Sequence, residues 1–289
     1  MKKILITGSN GQLGLELQNK LSNNYELILT NRKNLDITNF EQTIDFVKSC
    51  MPDIIVNCAA FTAVDLCEQQ EEEAYKSNAI GPKNLAIAAK EIDAKLVHIS
   101  TDYVFDGESI KDESGNRRPY HENDITNPQS AYGRTKLEGE KLVTENMNKY
   151  YIIRTAWLYG EGKNFVRTMI NLSKSNNEVK VVNDQIGSPT STSELANMIE
   201  KLLKTEEYGI YHGTCEGFCS WFDLTYEIYK QLNITTSVVP VTTEEFPRPA
   251  KRPKYSVLEN KKLNELGIYK FKTWQDALKI YLEKESKNI

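Results

Sequence analysis

Tyr132 and Lys136 stand four residues apart in Tyr132-Gly133-Arg134-Thr135-Lys136. On a helix that spacing places both side chains on one face. A phenol and an ammonium so arranged suit proton transfer to a carbonyl oxygen. The ordinary tyrosine pKa of about 10 is too high for efficient acid–base work at neutral pH, and a nearby ammonium is expected to lower it. Thr101, in Ser100-Thr101-Asp102 at the end of an apolar run, adds a hydroxyl that can hydrogen-bond a substrate oxygen as charge builds on it. A Tyr-x-x-x-Lys spacing alone is commonplace. It gains meaning from a second motif upstream, Gly8-Ser9-Asn10-Gly11-Gln12-Leu13-Gly14, which follows one apolar run and opens a helical stripe. Glycines there permit a tight turn and close backbone approach to a pyrophosphate, which the helix N-terminus attracts.

The elements that must position these groups follow from the periodicity. Short apolar runs at Lys2 to Thr7, Tyr25 to Leu29, Asp53 to Cys58, Lys95 to Ser100 and Tyr150 to Arg154 read as buried strands. Helical stripes lie between them: Leu13, Leu17 and Leu21; Phe40, Ile44 and Val47; a long helix over Glu71 to Lys90; and another over 130–147. Strands alternating with helices imply a parallel sheet covered on both faces. The expected fold is therefore α/β, a Rossmann-type doubly wound parallel sheet over residues 1–155. Past residue 155 the apolar segments shorten, prolines gather at Pro247, Pro249 and Pro253, and Trp274 to Glu283 reads as a closing helix. Residues 156–289 are expected to form mainly a smaller substrate-binding lobe, closely packed on the first.

The second strand should end at the adenosine ribose, where an acid usually binds the 2′-hydroxyl. Here Asn31-Arg32-Lys33 offers cations instead, suited to a 2′-phosphate. The expected cofactor is NADPH, with NADH the alternative. Asp36 and Ile37 fall where adenine contacts belong, and Ala59, Ala60, Phe61 and Thr62 follow the third strand toward the nicotinamide half.

Composition bounds the rest. Of 289 residues 39% are hydrophobic and 26% charged, as in an ordinary globular protein, and a net charge of -4 gives no reason to expect a nucleic-acid partner. The apolar run after Met1 is too short for a signal peptide, and no stretch reaches membrane-spanning length, so a cytoplasmic protein without a membrane partner is expected. Five cysteines, an odd number, fit reduced thiols. Cys215 and Cys219 lack the second half of a zinc site, and packing is the better reading. His98, His121 and His212 receive no chemical role.

The motifs GSNGQLG, NCAAFTAVD, STDYVFDG, YGRTK, RTAWLYG, NDQIGSPT and KRPKYS together resemble the dTDP-4-dehydrorhamnose reductases, a family of extended short-chain dehydrogenases. The likeness runs from residue 2 to about 285. It implies reduction of the C4 keto group of dTDP-4-dehydro-L-rhamnose, with Thr101, Tyr132 and Lys136 as the catalytic set. The cofactor would lie against Gly8, Asn10, Gly11, Gln12, Leu13 and Gly14, with Tyr132 and Lys136 also touching it. Substrate contacts would fall on Thr101, Asp102 and Trp157, and by position on Asn164 and Arg252. Related dehydratases carry Thr-Asp-Glu where this chain has Thr101-Asp102-Tyr103, which favours simple reduction. Some family members bind a divalent metal such as Mg²⁺ at a dimer contact; Glu16 and Glu194 match those positions, with ordinary helix-face carboxylates as the preferred reading and no metal site expected. Monomer and homodimer both fit. The rival readings are another nucleotide-ketosugar reductase or epimerase of the superfamily, and a non-catalytic NADP-binding regulatory subunit.

Overall fold

Each apolar strand divides its side chains between two hydrophobic cores, and that division sets the architecture. The computed structural model describes residues 1–285. Six strands form one parallel sheet: β1 (Lys3–Thr7), β2 (Glu26–Leu29), β3 (Ile54–Asn57), β4 (Lys95–Thr101), β5 (Tyr150–Thr155) and β6 (Gly209–His212). Their spatial order is β6-β5-β4-β3-β1-β2. Ile4, Ile6, Ile54, Val56, Val97, Tyr151 and Ile153 face one core, and Leu5, Ile55, Leu96 and Ile152 face the other. The period of two along each strand fills both faces, so the runs read as continuously apolar.

Helix α1 (Gln12–Leu21) lays Leu13, Leu17 and Leu21 on the first core. Helix α2 (Phe40–Cys50) lays Ile44 and Val47 on the second, beside Leu85 and Val143. The stretch expected as one long helix is interrupted. Helix α3 (Glu71–Tyr75) passes through a π-turn at Lys76–Ile80 before helix α4 (Gly81–Glu91). Helix α5 (Ala131–Asn146) carries the Tyr132/Lys136 pair. Its start is fixed by the Ser130 hydroxyl, which accepts from Gly133 N at 3.1 Å, and by Glu68, whose carboxylate accepts from Ala131 N at 2.8 Å.

Residues beyond 155 return to the sheet. Strand β6 pairs with β5 from Gly209↔Tyr151 to His212↔Arg154, and helix α6 (Thr192–Leu202) buries Leu195 and Ile199 in the same core as α1. A division at residue 155 would separate β6 from the other five strands of its sheet. The closing helix spans Trp274–Glu285, and no helix among the described residues is long and apolar enough to cross a membrane. The chain leaves β1 toward β2 and then crosses to β3 on the other side. That reversal opens a crevice at the carboxyl ends of the strands, the usual ligand position in such sheets.

Candidate active site

A cleft of about 810 Å³ runs along those strand ends. All the residues expected to bind the cofactor line it, as do Thr101, Asp102 and Trp157.

At one end is the glycine turn. Gly8 has φ +62°, and a Cβ there would sit 2.7 Å from the Ala59 amide nitrogen. A Cβ on Gly14 would sit 2.6 Å from the Gly8 carbonyl oxygen. Both positions therefore demand glycine. Helix α1 begins at Gly11 with no side-chain cap, leaving its first amides available to an anion. Gln12 Oε1 is buried there without a protein partner. A bare helix start and a turn pressed against the next strand end suit a dinucleotide's pyrophosphate. At the end of β2, Asn31 shapes a turn by accepting from Lys33 N at 2.9 Å, while its own amide donates to Asn34 Oδ1 at 2.7 Å. This sets exposed Arg32 at the cleft's edge; Lys33 does not line it. Asp36 is used locally, its Oδ1 accepting from the Thr38 amide and hydroxyl.

At the other end α5 meets β4. Lys136 is 2% exposed, and its ammonium donates to the Ile99 carbonyl at 2.6 Å. Burial pulls its pKa down to about 8, against the pull of Glu140 one turn further along the helix. Glu140 is itself clamped. It accepts from the Ser100 hydroxyl at 2.5 Å and from Arg154 Nη2 at 2.7 Å. Ser100 and Arg154 are register partners on β4 and β5. One buried carboxylate thus pins the helix bearing Tyr132 and Lys136 to both strands beneath it. On its opposite side, Asn78 of the π-turn donates to Thr135 Oγ1 at 3.1 Å and accepts from Phe61 N at 2.8 Å, tying α5 to the Ala59–Thr62 wall. The π-turn exists to present Asn78 and to place Ser77 in the cleft.

One expectation is corrected here. Tyr132 is not held low by Lys136. Burial pushes the phenol well above its usual value, and the neighbouring Thr101 hydroxyl only partly opposes this. The ammonium is spent on Ile99 rather than on the phenol. Thr101 Oγ1 donates to Asp102 Oδ1 at 2.9 Å and accepts from Tyr103 N at 3.2 Å. Burial raises the Asp102 carboxyl to about 6, against the opposing influence of the nearby Ser256 and Thr101 hydroxyls.

Trp157 takes the left-handed region, φ +48°, a costly backbone for a bulky residue. Its indole stacks on Trp221 with centroids 3.4 Å apart and planes 4° from parallel. A Cβ on Gly187 would meet the ring at 2.4 Å, so only glycine fits beside it. Trp221 also lines the cleft and donates from Nε1 to Gln185 at 3.2 Å. Trp221, Tyr103, Thr155, Cys58 and Ser77 also line the cleft, and the sequence alone assigns none of them a site role. Of these, Thr155 carried a signal, since it ends β5 as Thr101 ends β4.

Two expected substrate contacts lie elsewhere. Asn164 is buried outside the cleft and caps helix Phe165–Ser173. Its Oδ1 accepts from Arg167 N at 3.0 Å, and its amide donates to Gly160 O at 2.6 Å and Tyr281 Oη at 3.2 Å. These bonds consume its polar capacity. Arg252 stands behind the cleft wall, donating to Tyr103 Oη at 3.2 Å and pairing with Asp65 at 2.8 Å. The two glutamates weighed as metal ligands are also engaged. Glu194 accepts from Lys272 Nζ at 2.8 Å, Lys272 N at 3.0 Å and Tyr269 Oη at 2.9 Å. Burial opposes its ionisation, but these donors hold its carboxyl below the usual range. Glu16 lies 3.8 Å from Lys284 Nζ. Among the described residues no three His, Cys, Asp or Glu side chains gather as a metal site. Cys215 and Cys219 are buried free thiols whose ionisation burial opposes, in keeping with packing.

The family model of the RmlD substrate binding domain matches residues 1–287. The spore coat polysaccharide biosynthesis protein SpsK of Bacillus subtilis (strain 168) is 41% identical over 288 residues, covering 99% of each chain. A solved dTDP-4-dehydrorhamnose reductase from Clostridium acetobutylicum ATCC 824 is 53% identical with a TM-score of 0.94, covering 98% of this chain and 99% of that one. Another, from Bacillus anthracis str. Ames in complex with NADP, is 44% identical with a TM-score of 0.93, covering 98% of this chain and 100% of that one. With the glycine turn and the Tyr132/Lys136 helix on one cleft, and likeness along the whole length, the chain belongs to the RmlD substrate binding domain family.

Proposed function

We propose that this protein reduces the C4 carbonyl of dTDP-4-dehydro-L-rhamnose to give dTDP-L-rhamnose, with NADPH as reductant. The convergence of Tyr132, Lys136 and Thr101 on a cleft that begins at a glycine turn carries the reading. NADPH, when bound, supplies the hydride. The turn from Gly8 to Gly14 would hold its pyrophosphate, Arg32 its 2′-phosphate, the wall from Ala59 to Thr62 its nicotinamide half and Lys136 its ribose hydroxyls. The NADP complex of the Bacillus anthracis relative supports the phosphorylated cofactor, with NADH as the weaker alternative.

The protein's own groups then divide the work. The Thr101 hydroxyl, which donates to Asp102, reorients to hold the ketone oxygen in line. Negative charge grows on that oxygen, and Tyr132 Oη gives it a proton. Because burial keeps the phenol protonated, the acid is in the right state for reduction at neutral pH. Lys136, fixed on Ile99, keeps a positive charge beside the phenolate that results. The Trp157/Trp221 wall gives the deoxysugar an apolar surface. Five unpaired cysteines support the reduced environment of the cytoplasm as its place of action. A regulatory subunit that binds the cofactor without turnover would have a use for Lys136 but none for Tyr132 as an acid beside Thr101.

The test mixes purified protein with NADPH and dTDP-4-dehydro-L-rhamnose and follows loss of NADPH absorbance, with NADH in parallel. Stoichiometric consumption and recovery of dTDP-L-rhamnose are expected. Binding of NADPH without consumption would overturn the reading.

A further inference from the structure

Among the described residues Gln12, Asp102 and Thr155 each bring a buried side-chain oxygen without a hydrogen-bond partner to the cleft wall, and of the three only Thr155 stands beside Thr101 on the next strand. Thr155 is 7% exposed, its Oγ1 is buried and no protein group lies within hydrogen-bond distance of it among the described residues. It lines the cleft. It is also the register partner of Thr101, at the carboxyl end of the neighbouring parallel strand. Adjacent strands lie about 4.8 Å apart. Both residues line the same space one strand spacing apart, and a turn of Thr155 about χ1 exchanges its methyl and hydroxyl there. Strand order places β5 on the side of β4 away from β3 and β1, which carry the cofactor's wall and glycine turn. Trp157 follows Thr155 by two residues and lines the same end of the cleft.

Burying an unpaired hydroxyl costs stability, and valine would fill nearly the same shape without that cost. A hydroxyl kept there needs a partner that arrives from outside. We infer that Thr155 is a second substrate-binding hydroxyl, hydrogen-bonding the C3 hydroxyl of the sugar while Thr101 holds the adjacent C4 carbonyl oxygen. The inference rests on the reductase reading and adds to it a discriminating contact. Two oxygens on neighbouring sugar carbons are grasped by two threonines on neighbouring strands, which fixes the face of the ring that meets the hydride donor. A ketosugar lacking the C3 hydroxyl would leave Thr155 unpaired and be disfavoured.

Thr155→Val and Thr155→Ser test it. In Thr155→Val, kcat/KM for the ketosugar should fall roughly tenfold, the size expected for one neutral hydrogen bond in a dry site, chiefly through KM. The Kd for NADPH should not change, and the melting temperature of the ligand-free protein should equal or exceed that of wild type. Thr155→Ser, which keeps the hydroxyl, should restore most of the lost efficiency. With an analogue lacking the C3 hydroxyl, wild type and Thr155→Val should become equal. A Thr155→Val enzyme with wild-type KM would overturn the inference while leaving the reductase reading intact. So would one that lost NADPH affinity instead. A wild-type enzyme that does not turn over the ketosugar would remove the function and the inference together.

Discussion

Replacing Lys136 with methionine should make the protein nearly inactive and, at neutral pH, more stable. The ammonium is 2% exposed and pairs with no carboxylate; its hydrogen bond goes to the Ile99 carbonyl. Burial lowers its pKa from 10.5 to about 8, with Glu140 acting in the other direction. At 1.36 kcal/mol per pKa unit, holding that charge inside the fold costs about 3 kcal/mol. The folded form releases its proton near pH 8 and the unfolded form near 10.5. Between those values the unfolded chain binds more protons, so this group makes stability rise with pH across the window. Below it the wild type carries the whole penalty; above it, none. Methionine has a comparable stem and no charge, but it leaves the Ile99 carbonyl without its donor, a loss of about 1–3 kcal/mol that does not vary with pH. The difference between variant and wild type should therefore shift by about 3 kcal/mol, against the variant, from about pH 7 to pH 10.5. Tyrosines raised by burial, such as Tyr103 and Tyr132, are present in both proteins, and their titration cancels to first order in that difference. Urea unfolding of both proteins across that range measures it. A difference independent of pH would show that the buried ammonium carries no such penalty and would refute the reasoning.

Tyr132→Phe should lower kcat by about 10²–10⁴-fold, the usual worth of general acid catalysis, while NADPH still binds in a fluorescence titration. Arg32→Ala should raise KM for NADPH and leave KM for NADH unchanged in steady-state kinetics if Arg32 pairs with the 2′-phosphate, which only NADPH carries. Trp157→Ala and Trp221→Ala should each weaken ketosugar binding by on the order of 1 kcal/mol in calorimetry with little effect on NADPH, and the double variant should lose less than the sum, since the rings act as one stack.

Much of the sheet is written locally. Runs such as Ile4-Leu5-Ile6 and Ile54-Ile55-Val56 must be buried on both faces, and helical stripes between them leave few other arrangements. Strand β6 was not legible because Gly209–His212 is short and opens with glycine, and its burial comes from pairing with Tyr151 to Arg154. The interruption at Lys76–Ile80 was hidden for a similar reason. It is fixed by Asn78 reaching Phe61 and Thr135, contacts distant in sequence. In the site, the Gly8 turn and the Tyr132/Lys136 pair were readable because each is a local motif. The Trp157/Trp221 stack was not, since its halves meet only in the fold. Asn164 shows the opposite error. An asparagine directly before the amphipathic helix Phe165–Ser173 is an N-cap signature, and local chemistry already accounted for it before any substrate role was needed.

Three residues on this cleft occupy states that the fold alone would not favour. Lys136 keeps a cation away from water, Thr155 keeps a hydroxyl away from a protein partner, and Trp157 keeps a bulky side chain at φ +48°. Methionine, valine and glycine would relieve the three in turn. Such conformations persist only where surrounding structure over-determines them. The Glu140 clamp supplies that constraint beneath Lys136 through Ser100 and Arg154, one on each of the strands that end in Thr101 and Thr155. The Trp221 stack and the space left by Gly187 supply it around Trp157. The supporting groups find charge or packing partners within the protein, whereas the cleft groups keep a cation, a hydroxyl or a backbone angle that the protein alone does not relieve. That asymmetry separates the part of the molecule built to hold from the part that faces the cleft, where Thr155 stands beside Thr101.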